Sequence, residues 1–216
     1  MYRVMLRSLV VVMPLLAANP GRAEYGVWVD GQNMRSPFMR IYGPSLPPIG
    51  HIRFCRTFPD DCRVQTKSTD RFALSPDRWN ELVAINSLVN RIIEPTPDQE
   101  LYGEIERWTY PENRGDCEDY VLLKRRMLME RGWPASSLLI TVVTDENRAG
   151  HAILTARTSD GDFILDNKNS KVLAWNKVPY RFFKRQSYRD AKRWVSLKPH
   201  KGHIAHPTSS AKNSSR

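Results

Sequence analysis

The hydrophobic pattern of this chain changes period once, near residue 132, and that change limits what it can fold into. Upstream the spacing is helical. Ser75 followed by Pro76 predicts a helix start. From there Trp79, Leu82, Val83, Ile85, Val89, Ile92 and Ile93 fall largely on one face, and Pro95 and Pro97 end the run. A second helix is predicted from about Cys117 to Arg131, with Gly132 as its C′ residue and Pro134 as a stop. Downstream, Leu138 to Val143, His151 to Arg157 and Phe163 to Asp166 are β-rich runs, and Asp160-Gly161 marks a hairpin between the last two. Shorter strands are expected near Lys171 to Trp175 and Arg181 to Phe183. Helices first and strands afterwards predict an α+β fold, with N-terminal helices packed on an antiparallel sheet, rather than alternating βαβ units.

The ends read differently from the middle. Arg3 and Arg7, the apolar run Leu9 to Ala18 and the small residues of Gly21-Arg22-Ala23 have the pattern of a signal peptide over residues 1–23. Cleavage near Ala23 would place the protein in the periplasm or outside the cell. The apolar run is about half the ~20 residues of a membrane span. Residues 24–50, rich in Gly and Pro, are expected to form an extended arm lying on the body, followed by a domain over 51–197. Residues 198–216 carry basic but no acidic or aromatic side chains and are expected to be a disordered basic tail.

Charge narrows the partners less than it first suggests. The chain has 33 Lys and Arg against 23 Asp and Glu, a net +10, which loss of the leader with Arg3, Arg7 and Arg22 reduces to +7. The basic residues are dispersed, with local groups at Lys124-Arg125-Arg126 and Lys184-Arg185. With no zinc-finger spacing, basic zipper or RNA-binding aromatic signature, no nucleic-acid partner is expected. The Lys124-Arg125-Arg126 group reads as a solvated helix face. Trp108, Trp133, Trp175 and Trp194 could line a groove, although aromatics are more often core.

The cysteines carry the chemistry. Cys55 and Cys62 flank the turn-like Phe58-Pro59-Asp60-Asp61, and in an exported protein they are expected to pair; two buried thiols are the alternative. That leaves Cys117. Asp116 suits an N-cap, and Glu118 and Asp119 suit a first helical turn. Cys117 is therefore placed where unpaired N–H groups and the helix dipole favour a thiolate, the nucleophilic form. His151 is the histidine of a confident strand, whereas His51 lies in a Pro-rich approach and His200, His203 and His206 in the tail. Asp166 ends an apolar strand, where a charge is costly without a partner. With a two-residue loop at Asp160-Gly161, Asp166 would face Thr155, about 13 Å along the strand from His151. A longer turn centred nearer Ser159, or a bulge, would close most of that gap. The residues alone leave a Cys117–His151–Asp166 triad open against a buried cysteine, a core histidine and a strand-end aspartate. Asn167 could add a hydrogen bond to the triad or be an ordinary turn residue.

Gly115-Asp116-Cys117-Glu118-Asp119-Tyr120, Gly150-His151-Ala152 and Leu165-Asp166-Asn167, in that order, resemble the nucleophile, histidine and aspartate blocks of the bacterial transglutaminase-like cysteine peptidases. The upstream Trp79-Asn80-Glu81-Leu82 helix and the Glu106 to Pro111 approach resemble the family too, over roughly residues 50 to 197. The resemblance implies a papain-like or transglutaminase-like fold and a thiol protease that hydrolyses peptide bonds of a protein substrate. In that chemistry Cys117 attacks the amide carbonyl, with its own N–H as a candidate oxyanion donor. His151 moves the proton and Asp166 orients the imidazole. Well-known members clip large surface adhesins, release biofilm cells and answer to an inner-membrane receptor for cyclic di-GMP. The Cys55–Cys62 segment is more similar to an alphaproteobacterial subgroup, which sets this chain apart from those members. The resemblance also implicates Asp116 and Glu118 in calcium binding, whereas an N-cap with helix-start acids would need no ion. Transglutaminase-type acyl transfer and a non-enzymatic binding module are the competing functions.

Overall fold

The computed structural model describes residues 36–63 and 70–199. The expected leader, the first part of the expected arm and nearly all of the expected tail lie outside the described residues. A two-residue strand, β1 (Pro44–Ser45), comes first, then α1 (Ile49–Thr57) and a 3-10 turn over Pro59–Cys62. Next come α2 (Pro76–Ile92), β2 (Glu94–Pro95), α3 (Asp98–Tyr102), β3 (Arg114–Gly115) and α4 (Cys117–Glu130). The sheet strands follow: β4 (Leu138–Thr144), β5 (Gly150–Arg157), β6 (Asp162–Leu165), β7 (Leu173–Ala174), β8 (Arg181–Ser187) and β9 (Asp190–Ser196). Seven strands form one sheet in the order β1-β9-β8-β4-β5-β6-β7, with antiparallel neighbours throughout. The α+β expectation of helices on an antiparallel sheet holds.

Local chemistry explains the helix bounds. Ser75 Oγ accepts the Arg78 N–H at 3.2 Å and Pro76 fills the first helical position, so α2 starts where predicted. Gly132, at φ +86°, ends α4, and its N–H bonds the Met129 carbonyl. The apolar stripe of α2 is narrower than expected. Leu82, Ile85, Val89 and Ile93 are buried, but Val83 and Ile92 are 36% and 48% exposed. One face of the sheet, with Leu138, Ile140, Ala152, Leu154, Ala156, Phe163 and Leu165, packs on α2 and α4. The other, with Val143, Ile153 and Ile164, is covered by Met39, Tyr180 and Phe182.

The described part of the arm, residues 36–48, has β1 as its one regular element. α1 begins at Ile49, and its Cys55 is joined to Cys62 of the 3-10 turn, with Cα atoms 5.6 Å apart. His51, assigned to a Pro-rich approach, is buried in α1 against Trp108 and Trp194, and burial lowers its pKa to about 4. Gly50 must lack a side chain, since a Cβ there would lie 2.3 Å from Trp108. Trp108, Trp133 and Trp194 are core and Trp175 is half-buried, so the groove alternative fails for the first three.

Three of the five residues in the two basic groups are not solvated. Arg185 is buried and paired with Asp162 at 3.4 Å, alongside Arg71 at 2.8 Å. Lys124 and Arg125 are also buried. Both project from the side of α4 that carries Tyr120, Val121 and Leu128 at helical spacing, so their stems fill the helix–sheet layer. Arg125 bonds the carbonyls of Leu138 and Asp61. Lys124 Nζ has no hydrogen-bond partner among the described residues and lies 5.7 Å from the Tyr120 ring centroid. Burial pushes its pKa down from 10.5 to about 7, against the pull of Asp166. Between those values the unfolded chain binds a proton that the folded one does not, so raising the pH through this window favours folding. Lys124→Met should therefore be more stable than the parent at pH 7, and the difference should shrink by about 3 to 4 kcal/mol towards pH 10. Urea melts of the two proteins across that range check this; a difference constant with pH would show that Lys124 keeps its ordinary pKa.

Candidate active site

Two short strands set the nucleophile helix. β2 pairs with β3 in parallel, Pro95 opposite Gly115, and the Thr96 N–H bonds the Gly115 carbonyl at 2.9 Å. A Cβ on Gly115 would meet Asp119 Oδ2 at 2.7 Å, so glycine is what lets Asp119 fold back over the start of α4. Cys117 then opens the helix as a free, half-buried thiol. Its Sγ accepts the Ala152 N–H at 3.4 Å and donates to Glu118 Oε2 at 3.1 Å. Ala152 follows His151 on β5, so the thiol rests against the strand that carries the imidazole.

His151 and Asp166 meet directly, with Nε2 2.8 Å from Asp166 Oδ1. Of the two registers the sequence allowed, the longer turn centred near Ser159 holds and the two-residue loop does not. Arg157 pairs with Asp162 and Leu154 with Leu165, so the loop has four residues, Thr158 to Gly161. Continuing this register puts Asp166 opposite Ile153, two residues from His151 instead of four. The turn is held from within, by the Thr158 N–H and hydroxyl on the Gly161 carbonyl, and from outside. Arg71 donates to the Thr158 carbonyl, and the Ser159 N–H bonds the Phe72 carbonyl, so a distant segment pins the turn.

The rest of the Asp166 carboxylate is also engaged. Oδ1 accepts the Lys168 N–H at 3.0 Å and Oδ2 the Tyr180 hydroxyl at 2.5 Å. Burial alone would raise the pKa of Asp166, but the donors from His151, Tyr180 and Lys168 outweigh it and hold the carboxyl below its ordinary value. Asn167 does not join this network; its Oδ1 is buried without a partner. Asn90 contributes instead, donating to the Asp166 carbonyl at 2.8 Å. Tyr180 and Asn90 were not recognised as part of this network from sequence. Tyr180 had no signal beyond a Tyr after Pro179, ahead of an apolar run.

Around Cys117 the electrostatics oppose the expected thiolate. Burial and the Glu118 carboxyl push the thiol well above its ordinary pKa, only partly offset by the Ala152 N–H. Asp116 holds the N-cap position but makes no capping bond, because its Oδ2 turns to the Asp98 N–H at 3.3 Å. The neighbouring acids are raised as well: Glu118 to about 9 by burial and Asp116, Asp119 to about 8 by burial and then Asp116 and Asp98, and Asp98 to about 6, chiefly by burial.

Two overlapping groups could hold a cation, Asp116–Cys117–Glu118 and Asp98–Asp116–Asp119, with ligand atoms within 4.8 Å of one another in each. Among the described residues Asp98 Oδ1, Asp116 Oδ1 and Asp119 Oδ2 are buried and have no hydrogen-bond partner, the condition a hard cation would relieve. The carboxylates present thus fit calcium. Asp98 was missed as a site residue because the β2–β3 pairing, which brings α3 beside α4, leaves no mark in the sequence.

The whole chain can be set beside known proteins. No curated protein is a significant match. Among solved structures, Legionella pneumophila LapG matches at 23% identity and TM-score 0.46, over 54% of this chain and 67% of that one. A calcium-bound form of LapG matches at 22% and 0.48, over 62% and 77%. An EGTA-treated form matches at 26% and 0.42, over 49% and 61%. The family model described as bacterial transglutaminase-like cysteine proteinase matches residues 41–202, three-quarters of the chain. That match spans the Cys117 helix and every strand of the sheet, so the chain belongs to the bacterial transglutaminase-like cysteine proteinases and is a cysteine peptidase with a protein substrate.

Proposed function

We propose that Cys117, His151 and Asp166 are the catalytic triad of an exported peptidase that hydrolyses peptide bonds. One observation carries the reading: the only free thiol of the chain lies on the Ala152 N–H, next in sequence to a histidine held by a buried carboxylate. Asp166 occupies Nε2 of the ring, which leaves Nδ1 to take the thiol proton. Sγ then attacks the amide carbonyl, the imidazolium returns the proton to the leaving amine, and water releases the acyl group from Cys117. Because the surroundings favour the protonated thiol, the first step needs a base to take its proton.

Asp98, Asp116 and Asp119, with Glu118 beside them, are the residues to hold calcium. Bound there, its charge would offset the carboxylates beside Cys117 and favour the thiolate. Export is supported by the leader pattern over residues 1–23 and by the Cys55–Cys62 disulfide, a bond that persists in oxidising compartments. The sequence resemblance makes a large surface adhesin the substrate to try first, and a membrane receptor the regulator.

A peptide vinyl sulfone tests the triad. It should add once per chain, at Cys117, and His151→Ala should slow the addition at least a hundredfold. Equal rates in the two proteins would remove His151 from the mechanism. Turnover of a protein substrate with a labelled primary amine present should give free carboxylates; amine incorporation without net hydrolysis would make the enzyme an acyl transferase.

A further inference from the structure

The Asp166 carboxylate is held by more than its histidine. Its Oδ1 carries His151 Nε2 at 2.8 Å and the Lys168 N–H at 3.0 Å, and its Oδ2 carries the Tyr180 hydroxyl at 2.5 Å. The Tyr180 ring also stands edge-on to His151, centroids 5.7 Å apart and planes at 76°. Tyr180 precedes β8, a part of the chain that supplies none of the three triad residues. Rotation about the last bond of an aspartate is soft and two-fold, so donors on one oxygen alone leave the carboxylate free to twist. A donor on the second oxygen fixes its plane, and the plane of the carboxylate aims the imidazole.

We infer that Tyr180 is a positioning residue of the triad: its hydroxyl fixes Asp166, and through Asp166 it fixes the ring of His151. This rests on the triad reading. The alternative is simple packing, since Tyr180 also borders Val143, Ile153 and Ile164 on the outer face of the sheet. Tyr180→Phe separates the two, because it keeps the ring and its packing and removes only the donor. Asp166 and Tyr180 both line a cavity of about 310 Å³ with Lys168, Leu173 and Val178. Water can therefore reach the carboxylate in the variant, and what is lost is orientation rather than solvation.

The test has two arms. In protein labelled with ¹⁵N-histidine, the His151 Nε2–H resonance, assigned by its loss in His151→Gln, should be sharp in the parent and broadened by exchange in Tyr180→Phe. This arm needs no turnover and holds whether or not Cys117 is the nucleophile. In the second arm, Tyr180→Phe should slow vinyl sulfone addition to Cys117 roughly tenfold, the loss expected for a hydrogen bond to a charged group. In an Asp166→Asn background the same change should cost less than about twofold, because the path runs through the carboxylate. An unchanged His151 resonance, or the same fold-change in both backgrounds, would overturn the inference. A failure of the triad reading shows separately, as addition that His151→Ala does not slow.

Discussion

Cys117→Ala should fold like the parent and cleave nothing. The substitution removes one sulfur from a half-buried position at the first turn of α4, where alanine is the best helix former. The Ala152 N–H loses its acceptor, a cost of about 1 kcal/mol. The melting temperature should therefore move by only a few degrees. Turnover should fall at least about a thousandfold, since no other thiol of the chain is free to attack. The measurement compares the proteins released by cells that carry Cys117 with those from cells that carry alanine, next to thermal melts of the two purified proteins. Cleavage that persists in the variant would remove Cys117 from the reaction.

Calcium should raise the melting temperature by roughly 10 °C. At a free concentration a thousand times Kd, binding to the folded state alone contributes about 4 kcal/mol, and a chain of this size gains about 2–4 °C per kcal/mol. Three buried carboxylate oxygens without partners, on Asp98, Asp116 and Asp119, are the reason to expect the response. Asp119→Asn keeps an oxygen to accept the Thr109 N–H, which now bonds Oδ1 at 3.0 Å, and it replaces an acid that burial and its neighbours make costly to ionise. Its melting temperature in EGTA should equal or exceed that of the parent, while the response to calcium should be lost. A parent that melts at the same temperature in calcium and in EGTA, with activity unaffected by the chelator, would leave the cluster as an unfilled group of protonated acids.

The parts of this molecule legible in its sequence are those written in local rules. Ser75-Pro76 and Gly132 mark helix ends because capping is a matter of neighbouring residues. The α+β class follows from the change of period, and the site candidates follow from a lone thiol at a helix start and a charge at a strand end. What did not come through depends on contacts between distant segments. The turn whose register joins His151 to Asp166 is held partly by Arg71 and Phe72, 87 residues away. Asp98 reaches Asp116 only because two dipeptide strands pair. Lys124 and Arg125 were read as solvated from their charge, although their spacing along α4 with Tyr120, Val121 and Leu128 was the better guide. Strand β9 was missed because Asp190-Ala-Lys-Arg-Trp-Val-Ser196 is mostly polar and its turn, Tyr188-Arg189, lacks Gly and Asn.

The groups proposed to react come from two different parts of the fold. The sulfur and its acids ride on the chain between Pro95 and Glu130, whereas the imidazole, its carboxylate and the phenol are borne by β5, the end of β6 and the approach to β8. Leu82, Leu128, Leu154 and their neighbours, all buried between the helices and the sheet, set the height and tilt at which the two parts meet. Alignment of the proposed triad is thus a property of the apolar seam, and an ångström of slippage along it would be expected to disarm that triad while the molecule still looks folded.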